Sequence, residues 1–234
     1  ADFSLEQGGV RWLGTSIESL SLADGALVIG SFLRKDHPLF AQRLRQAARH
    51  GAQIAALGAV ADDWAMPLAA RINAAPSDWV AELEGIVAAA TLSAGGKLPE
   101  GAAEPTQAQR DVVAALSSGA TTGATRLVLL GNAAAQHPQA SLLLALANQI
   151  AARTGARIGF LGEAANSVGA QLVGAQPRTG SGGLDAGQML SQPMKALLLL
   201  DVEPELDAAD GAAARAALAA SGLVVALTAF ADTT

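Results

Sequence analysis

The sequence predicts an α/β fold of parallel sheet in which Rossmann-like βαβ units are duplicated in two lobes. Three observations carry that expectation. LVIGSFLRKDHPLFAQRLRQAARHGAQIAAL at residues 27–57 returns 100 positions later as LVLLGNAAAQHPQASLLLALANQIAARTGARIGFL at 127–161. Each copy ends an apolar run on glycine plus a small polar residue, Gly30-Ser31 and Gly131-Asn132, and resumes an apolar run after Gly51-Ala52 or Gly155-Ala156. Between these points each copy carries a His-Pro pair, His37-Pro38 and His137-Pro138, in a chain of 234 residues with 3 histidines and 9 prolines.

The first 25 residues read as an edge segment with a short strand at Val10–Leu13, and Ala26–Ile29 follows as a buried strand. Pro38 opens a helix, because a missing N–H costs nothing in the first turn. Leu39, Phe40, Leu44 and Ala47 or Ala48 recur at helical spacing, with Arg43, Arg45 and Arg49 outward. Gly51 ends that helix and Gln53–Leu57 is the next strand. Residues 62–120 read as helical, with Asp62 or Asp63 capping 64–73, Ser77 capping 78–93 and Thr106 capping 107–117. Ser93–Pro105 (SAGGKLPEGAAEP) reads as an exposed loop.

The second copy is longer: Pro138 to Gly155 is 17 positions against 13 from Pro38 to Gly51. The difference is about one α-turn, which keeps the same helix face on the sheet. A third unit follows, with a strand at 196–200, a Pro-containing turn, a helix at 207–220 and a strand at 223–229, after a flexible loop at Gln176–Leu184. Strands alternating with helices imply parallel pairing and right-handed crossovers. The corresponding domains are 1–120, a βαβ lobe with a helical insert, and 121–234, a lobe with two further units; closure into one compact domain is the other option.

Composition narrows the function classes. The chain is 51% apolar, much of it alanine, with 3% aromatics and no tyrosine. A net charge of −6 with no basic run argues against a nucleic-acid partner. The absence of cysteine excludes disulfides, thiolate zinc sites, cysteine-ligated iron–sulfur clusters and cysteine nucleophiles in this chain. No run reaches the roughly 18 to 20 apolar residues that a membrane span needs. The chain begins with alanine, shows no signal peptide and reads like an excised fragment.

Candidate sites follow from the duplicated turns. Gly30-Ser31 and Gly131-Asn132 sit where a parallel strand feeds a helix, the place where doubly wound folds meet nucleotide phosphates. Neither turn is G-x-G-x-x-G or a P-loop, and a tight βαβ turn needs glycine in any case. His37 and His137 have the chemistry of acid–base groups or ligands, but their place beside a helix-starting proline favours capping or packing. His50 closes a helix, where the dipole favours a cationic ring. Asp201, Glu203, Glu205, Asp207 and Asp210 are a set of oxygen ligands for a divalent metal; as acids before a helix they suit its N-terminus better. EAANSVGAQLVGAQP at 163–177, with Asn166 and Ser167, reads as an irregular connection of the kind that lines a cleft.

These phrases carry a resemblance. VIGSFLRKDHPLFAQRLRQAARHGAQI resembles the strand–turn–helix of the molybdopterin oxidoreductase family, the family of formate dehydrogenase and DMSO reductase domains. Within it, LGNAAAQHPQA, LGEAANSVGAQLVGAQP and KALLLLDVEPELD resemble one family of peripheral-arm subunits of bacterial NADH:quinone oxidoreductase, respiratory complex I. In those subunits an N-terminal region with cysteine-ligated iron–sulfur clusters precedes a large pterin-enzyme-like region. The resemblance spans about Gly25 to Phe230, and AANSVGA is its most specific phrase; it speaks against the central domain of a thiamine-diphosphate enzyme.

The resemblance implies an internal piece of the pterin-enzyme-like region. On that reading it has no cofactor of its own and no catalytic or metal-ligating residue, and the iron–sulfur clusters lie elsewhere in the full-length subunit. Gly30, Ser31, His37, Gly131, Asn132 and Asn166 become lining of a vestigial pocket. The implied partners are other peripheral-arm subunits and the iron–sulfur region of the same subunit. The implied place is the cytoplasmic side of the inner membrane, held there through the complex. The implied role is a scaffold supporting electron transfer from NADH to quinone; the alternative is a nucleotide- or molybdopterin-cofactor-binding domain.

Overall fold

Apolar runs buried on both faces pair most stably between two helix layers, and Gly25–Ile29, Gln53–Gly58 and Arg126–Leu130 are such runs at the centre of a five-stranded sheet, flanked by two partly exposed edge strands. The computed structural model describes residues 11–117, 125–162, 164–175, 177 and 183–229. Among the described residues the first elements in chain order are β1 (Gly25–Ile29), α1 (Leu33–Asp36), α2 (Pro38–Arg49), β2 (Gln53–Gly58), β3 (Ala70–Asn73), α3 (Trp79–Ser93) and α4 (Gln107–Ser117). Then come β4 (Arg126–Leu130), α5 (Asn132–Ala135), α6 (Ala140–Thr154), β5 (Arg157–Phe160) and α7 (Ser167–Leu172). Last are α8 (Ala186–Leu190), β6 (Leu197–Leu200), α9 (Pro204–Asp207), α10 (Gly211–Ala220) and β7 (Val224–Leu227).

The chain forms two compact units that divide after Ala175, and both copies of the repeat lie in the first. Its strands form one parallel sheet in the order β3-β2-β1-β4-β5. The two copies therefore stand side by side, β1-α2-β2 running one way from the centre and β4-α6-β5 the other. A right-handed crossover that changes direction changes face, so α2 and α6 cover opposite sides. Ala26 and Val28 of β1 face Ala41, Leu44 and Ala47 of α2. Leu27 and Ile29 face the layer of α3, α4 and α6 through Leu83, Ile86, Val112, Leu116, Leu143 and Ile150. The α/β parallel fold class is as the sequence predicts.

Several boundaries match. Pro38 occupies the first turn of α2, and Gly155 closes α6 in the left-handed conformation at φ 71°. Thr106 caps α4 reciprocally: its Oγ1 accepts from the Gln109 N–H at 3.3 Å, while its own N–H donates to Gln109 Oε1 at 2.8 Å. Such a capping box contributes about 1 kcal/mol.

Other expectations are corrected. Residues 64–73 do not form a helix. Pro67 breaks the run, and Ala70 and Ile72 turn inward in alternation as edge strand β3. Ser77 does not cap α3 but lies in a 3₁₀ turn, Pro76–Asp78, that leads into it. The buried stripe of α2 is Ala41, Leu44 and Ala47, and Leu39 points outward. The first-copy edge segment contains a 3₁₀ turn, Glu18–Leu22; Arg11–Leu13 is not a strand, and Val10 lies outside the described residues. Much of the Gln176–Leu184 loop also lies outside them.

In the second unit the expected helix 207–220 begins only at Gly211, because α9 ends at Asp207 and Asp210 caps α10 by accepting from the Ala213 N–H. The acids after β6 serve local roles: Asp207 accepts from the Glu203 N–H, and Glu205 pairs with Arg215. Strands β6 and β7 pair in parallel, Leu198 with Val225 and Leu200 with Leu227. All four of those side chains are exposed, while Ala214 and Ala217 of α10 are buried.

Candidate functional site

In an open parallel sheet the crevice for ligands forms at the carboxyl ends of the strands, where strand order reverses. Here that place is the junction of β1 and β4, and the two duplicated turns meet there. Each turn first completes the ladder: the Gly30 N–H donates to Leu57 O at 2.9 Å, and the Gly131 N–H donates to Ile29 O at 2.8 Å.

The junction is filled by the protein itself. Gly30 adopts φ +61°, which admits glycine at little cost. A Cβ on Gly30 would stand 2.7 Å from Ala134 N and 2.8 Å from Trp79 Cζ3. A Cβ on Gly131 would run into Ser31 Cβ and stand 2.6 Å from Gly30 O. The turns are thus pressed against each other and roofed by the Trp79 indole. Two main-chain donors of these turns are also engaged. The Ala133 N–H donates to Gly30 O at 3.0 Å, and the Phe32 N–H donates to Asp36 Oδ2 at 3.1 Å. A carboxylate of the chain itself therefore holds the position an anion would take at the first turn. These residues do not fit the diphosphate of a pterin dinucleotide between Gly30 and Gly131.

The open space lies to one side. A cleft of about 210 Å³ over the ends of β1, β2 and β3 is lined by Gly30 and Ser31 together with Phe32, Asp62, Trp64, Arg71 and Trp79 among others. Its lining is mostly apolar. Arg71 donates to Asp62 O at 2.9 Å, and Trp64 Nε1–H donates to Asp62 Oδ1 at 2.8 Å, so the polar edge of the cleft is braced internally. Two oxygens at the matched turns, Ser31 Oγ and Asn132 Oδ1, are buried without a hydrogen-bond partner in the protein.

Of the sequence candidates, Gly30 and Ser31 reach this cleft, and Gly131 packs behind them. Asn132 begins α5. His37 and His137 are buried at the breaks between α1 and α2 and between α5 and α6, where each bonds a main-chain carbonyl. Asn166 is exposed at the start of α7 and does not line the cleft. The irregular connection expected at 163–177 contains that short helix instead. The two tryptophans and Arg71 lie in the segment between the copies, where the repeat gives no guidance.

Asp63, between the cleft residues Asp62 and Trp64, makes a pH-dependent contact on the exposed side of this segment. The Asp63 carboxylate accepts from the Ala65 N–H at 2.8 Å and pairs with Arg34 at 2.6 Å. The Ala65 N–H first, and then the Arg34 guanidinium, hold this exposed carboxyl below the ordinary aspartate range. A depressed folded value means that the contact is complete above the unfolded aspartate value and is lost as pH falls through the lower folded one. A carbon-13 titration of the Asp63 carboxyl is expected to show the depressed midpoint, rising when Arg34 is replaced by alanine. An unshifted midpoint in the wild type would show that the turn does not persist in solution.

A family model described as molybdopterin oxidoreductase matches residues 3–234 of the chain. No curated protein matches it.

Proposed function

The chain belongs to the molybdopterin oxidoreductase family, and from that premise we propose that it is a scaffold domain in the peripheral arm of NADH:quinone oxidoreductase, part of the subunit whose N-terminal region bears iron–sulfur clusters. In this role it supports electron transfer from NADH to quinone and performs no chemistry of its own. The observation that carries the reading is the filled junction, where Gly131 is pressed on Ser31 and Trp79 covers Gly30. The absence of cysteine places any cysteine-ligated cluster outside this chain. The exposed apolar pairs of β6 and β7 also support it, because parallel strands are normally covered on both faces. The partners are then the iron–sulfur region of the same subunit and neighbouring subunits, at the cytoplasmic face of the inner membrane. Among the described residues no helix is long and apolar enough to cross a membrane.

A second reading, a domain that binds a nucleotide or the molybdopterin cofactor, is favoured by the partnerless Ser31 Oγ on the wall of an open cleft, with Asn132 Oδ1 likewise partnerless at the matched turn. On that reading the ligand would lie in the side cleft rather than between Gly30 and Gly131, a bound pterin would supply the redox chemistry, and Ser31 would meet its polar edge. The purified protein separates the two. The scaffold reading expects no stoichiometric pterin, metal or flavin, and no heat on calorimetric titration with guanine or adenine dinucleotides at millimolar concentration. Stoichiometric pterin, or saturable heat abolished by Ser31→Ala with Asn132→Ala, would replace it with the second.

A further inference from the structure

The duplicated His-Pro pairs have so far no role, yet at the carboxyl edge of the sheet their side chains contact main chain 125 and 61 positions away. His37, which follows β1, has its Nε2 3.0 Å from Gly162 O, in the loop that leaves β5. His137, which follows β4, has its Nε2 2.9 Å from Pro76 O, in the loop that leaves β3. In the strand order β3-β2-β1-β4-β5 both contacts cross the line between the two copies, each histidine reaching into the other half.

The chemistry fixes the direction of both contacts and the packing holds both rings. His137 Nδ1 accepts from the Gln139 N–H at 3.0 Å, so the ring hydrogen sits on Nε2 and is donated to Pro76 O. A carbonyl can only accept, so His37 Nε2 likewise donates to Gly162 O, while its Nδ1 has no partner. Both residues are nine-tenths buried or more. His37 lies flat on Phe40, with ring centres 5.6 Å apart and planes at 3°. His137 lies on Trp79, with centres 5.8 Å apart.

We propose that the two histidines are crossed latches that hold down the two loops flanking the switch-point crevice. His37 latches the loop at Leu161–Gly162, which leads to the Asn166 segment. His137 latches the loop at Ala74–Trp79, which carries the indole roof over Gly30. The two bonds act on different loops, so releasing one frees its own loop and leaves the other closed. The inference rests on these contacts alone and stands whether the domain is a scaffold or binds a cofactor.

Hydrogen exchange on the purified protein tests it segment by segment. In His137→Ala, amides at 74–80 are expected to exchange about tenfold faster, the loss of roughly one hydrogen bond, with 161–166 unchanged. In His37→Ala the pattern reverses. The proposal is overturned if either variant leaves its own loop unchanged, or if both variants loosen both loops alike. Should the alanine variants unfold, His37→Gln and His137→Gln, which offer an N–H at similar reach, are expected to restore protection of the matching loop. The wild type supplies a further check by nitrogen-15 NMR of the rings, in which the neutral ring of each histidine is expected as the Nε2–H tautomer. An Nδ1–H tautomer at either position would overturn the latch there.

Discussion

Replacing Trp79 by alanine is expected to destabilise the protein by about 3–5 kcal/mol, the usual cost of emptying a fully buried large aromatic site. Trp79 is 1% exposed and opens α3. It packs with Leu83 and Ile86 into the larger of the two core clusters. Its Nε1–H donates to Ala74 O at 3.0 Å, which ties the end of β3 to the start of the helix. Its outer ring edge rests on Gly30, where a glycine leaves no side chain to fill the gap. Truncation therefore removes core volume, orphans a carbonyl and unroofs the junction together, and the surrounding turns have little freedom to collapse. Trp79→Phe keeps most of the ring and loses the N–H, so it is expected to fall between. Trp12, which is half exposed, is the control; Trp12→Ala is expected to cost less than about 1 kcal/mol. Urea denaturation of the three variants measures the order. A Trp79→Ala protein within about 1 kcal/mol of the wild type would mean that the indole does not roof the junction in solution.

The residues that make Trp79 important were not those by which the fold could be read. A repeated phrase reveals elements and their order, because helix starts at Pro38, ends at Gly51 and Gly155, and apolar strand runs are local properties. It leaves open where the two copies stand, and the structure puts them in one sheet around a shared junction. Strand β3 was hidden for a local reason, since only Ala70 and Ile72 alternate inward after Pro67. The closure of the crevice was hidden for a non-local one. Gly30 and Gly131 looked alike in sequence as turn glycines. Only their neighbours distinguish them: Trp79 is 49 positions from Gly30, and Ser31 is 100 positions from Gly131. The same holds for His37 and His137, whose placement beside proline suggested packing while their carbonyl partners lie 125 and 61 positions away.

Gly131→Ala is expected to cost about 3 kcal/mol, near the upper end for inserting one methyl group into a close-packed site. The backbone does not demand glycine here, because φ is −92° and ψ −174°, open to any residue. The cost comes from space alone: the new Cβ would run into Ser31 Cβ and approach Gly30 O and Ser31 Cα at 2.6 and 2.8 Å. Two of those three atoms belong to backbone that is hydrogen-bonded through Gly30 and Gly131 into the sheet, so neither turn can yield without loosening β1 or β4. Gly51 is the converse case, with φ +100° and nothing within 4 Å of an added methyl group, so Gly51→Ala isolates the conformational penalty, about 1 kcal/mol. Comparing the two by chemical denaturation separates close approach from backbone strain. If Gly131→Ala costs no more than Gly51→Ala, the turns are not in contact and the switch-point crevice is open. The main support for the scaffold reading would then be gone. If it costs the larger amount, the methyl group is resisted by a junction already occupied by the protein's own atoms, and a dinucleotide would meet the same resistance.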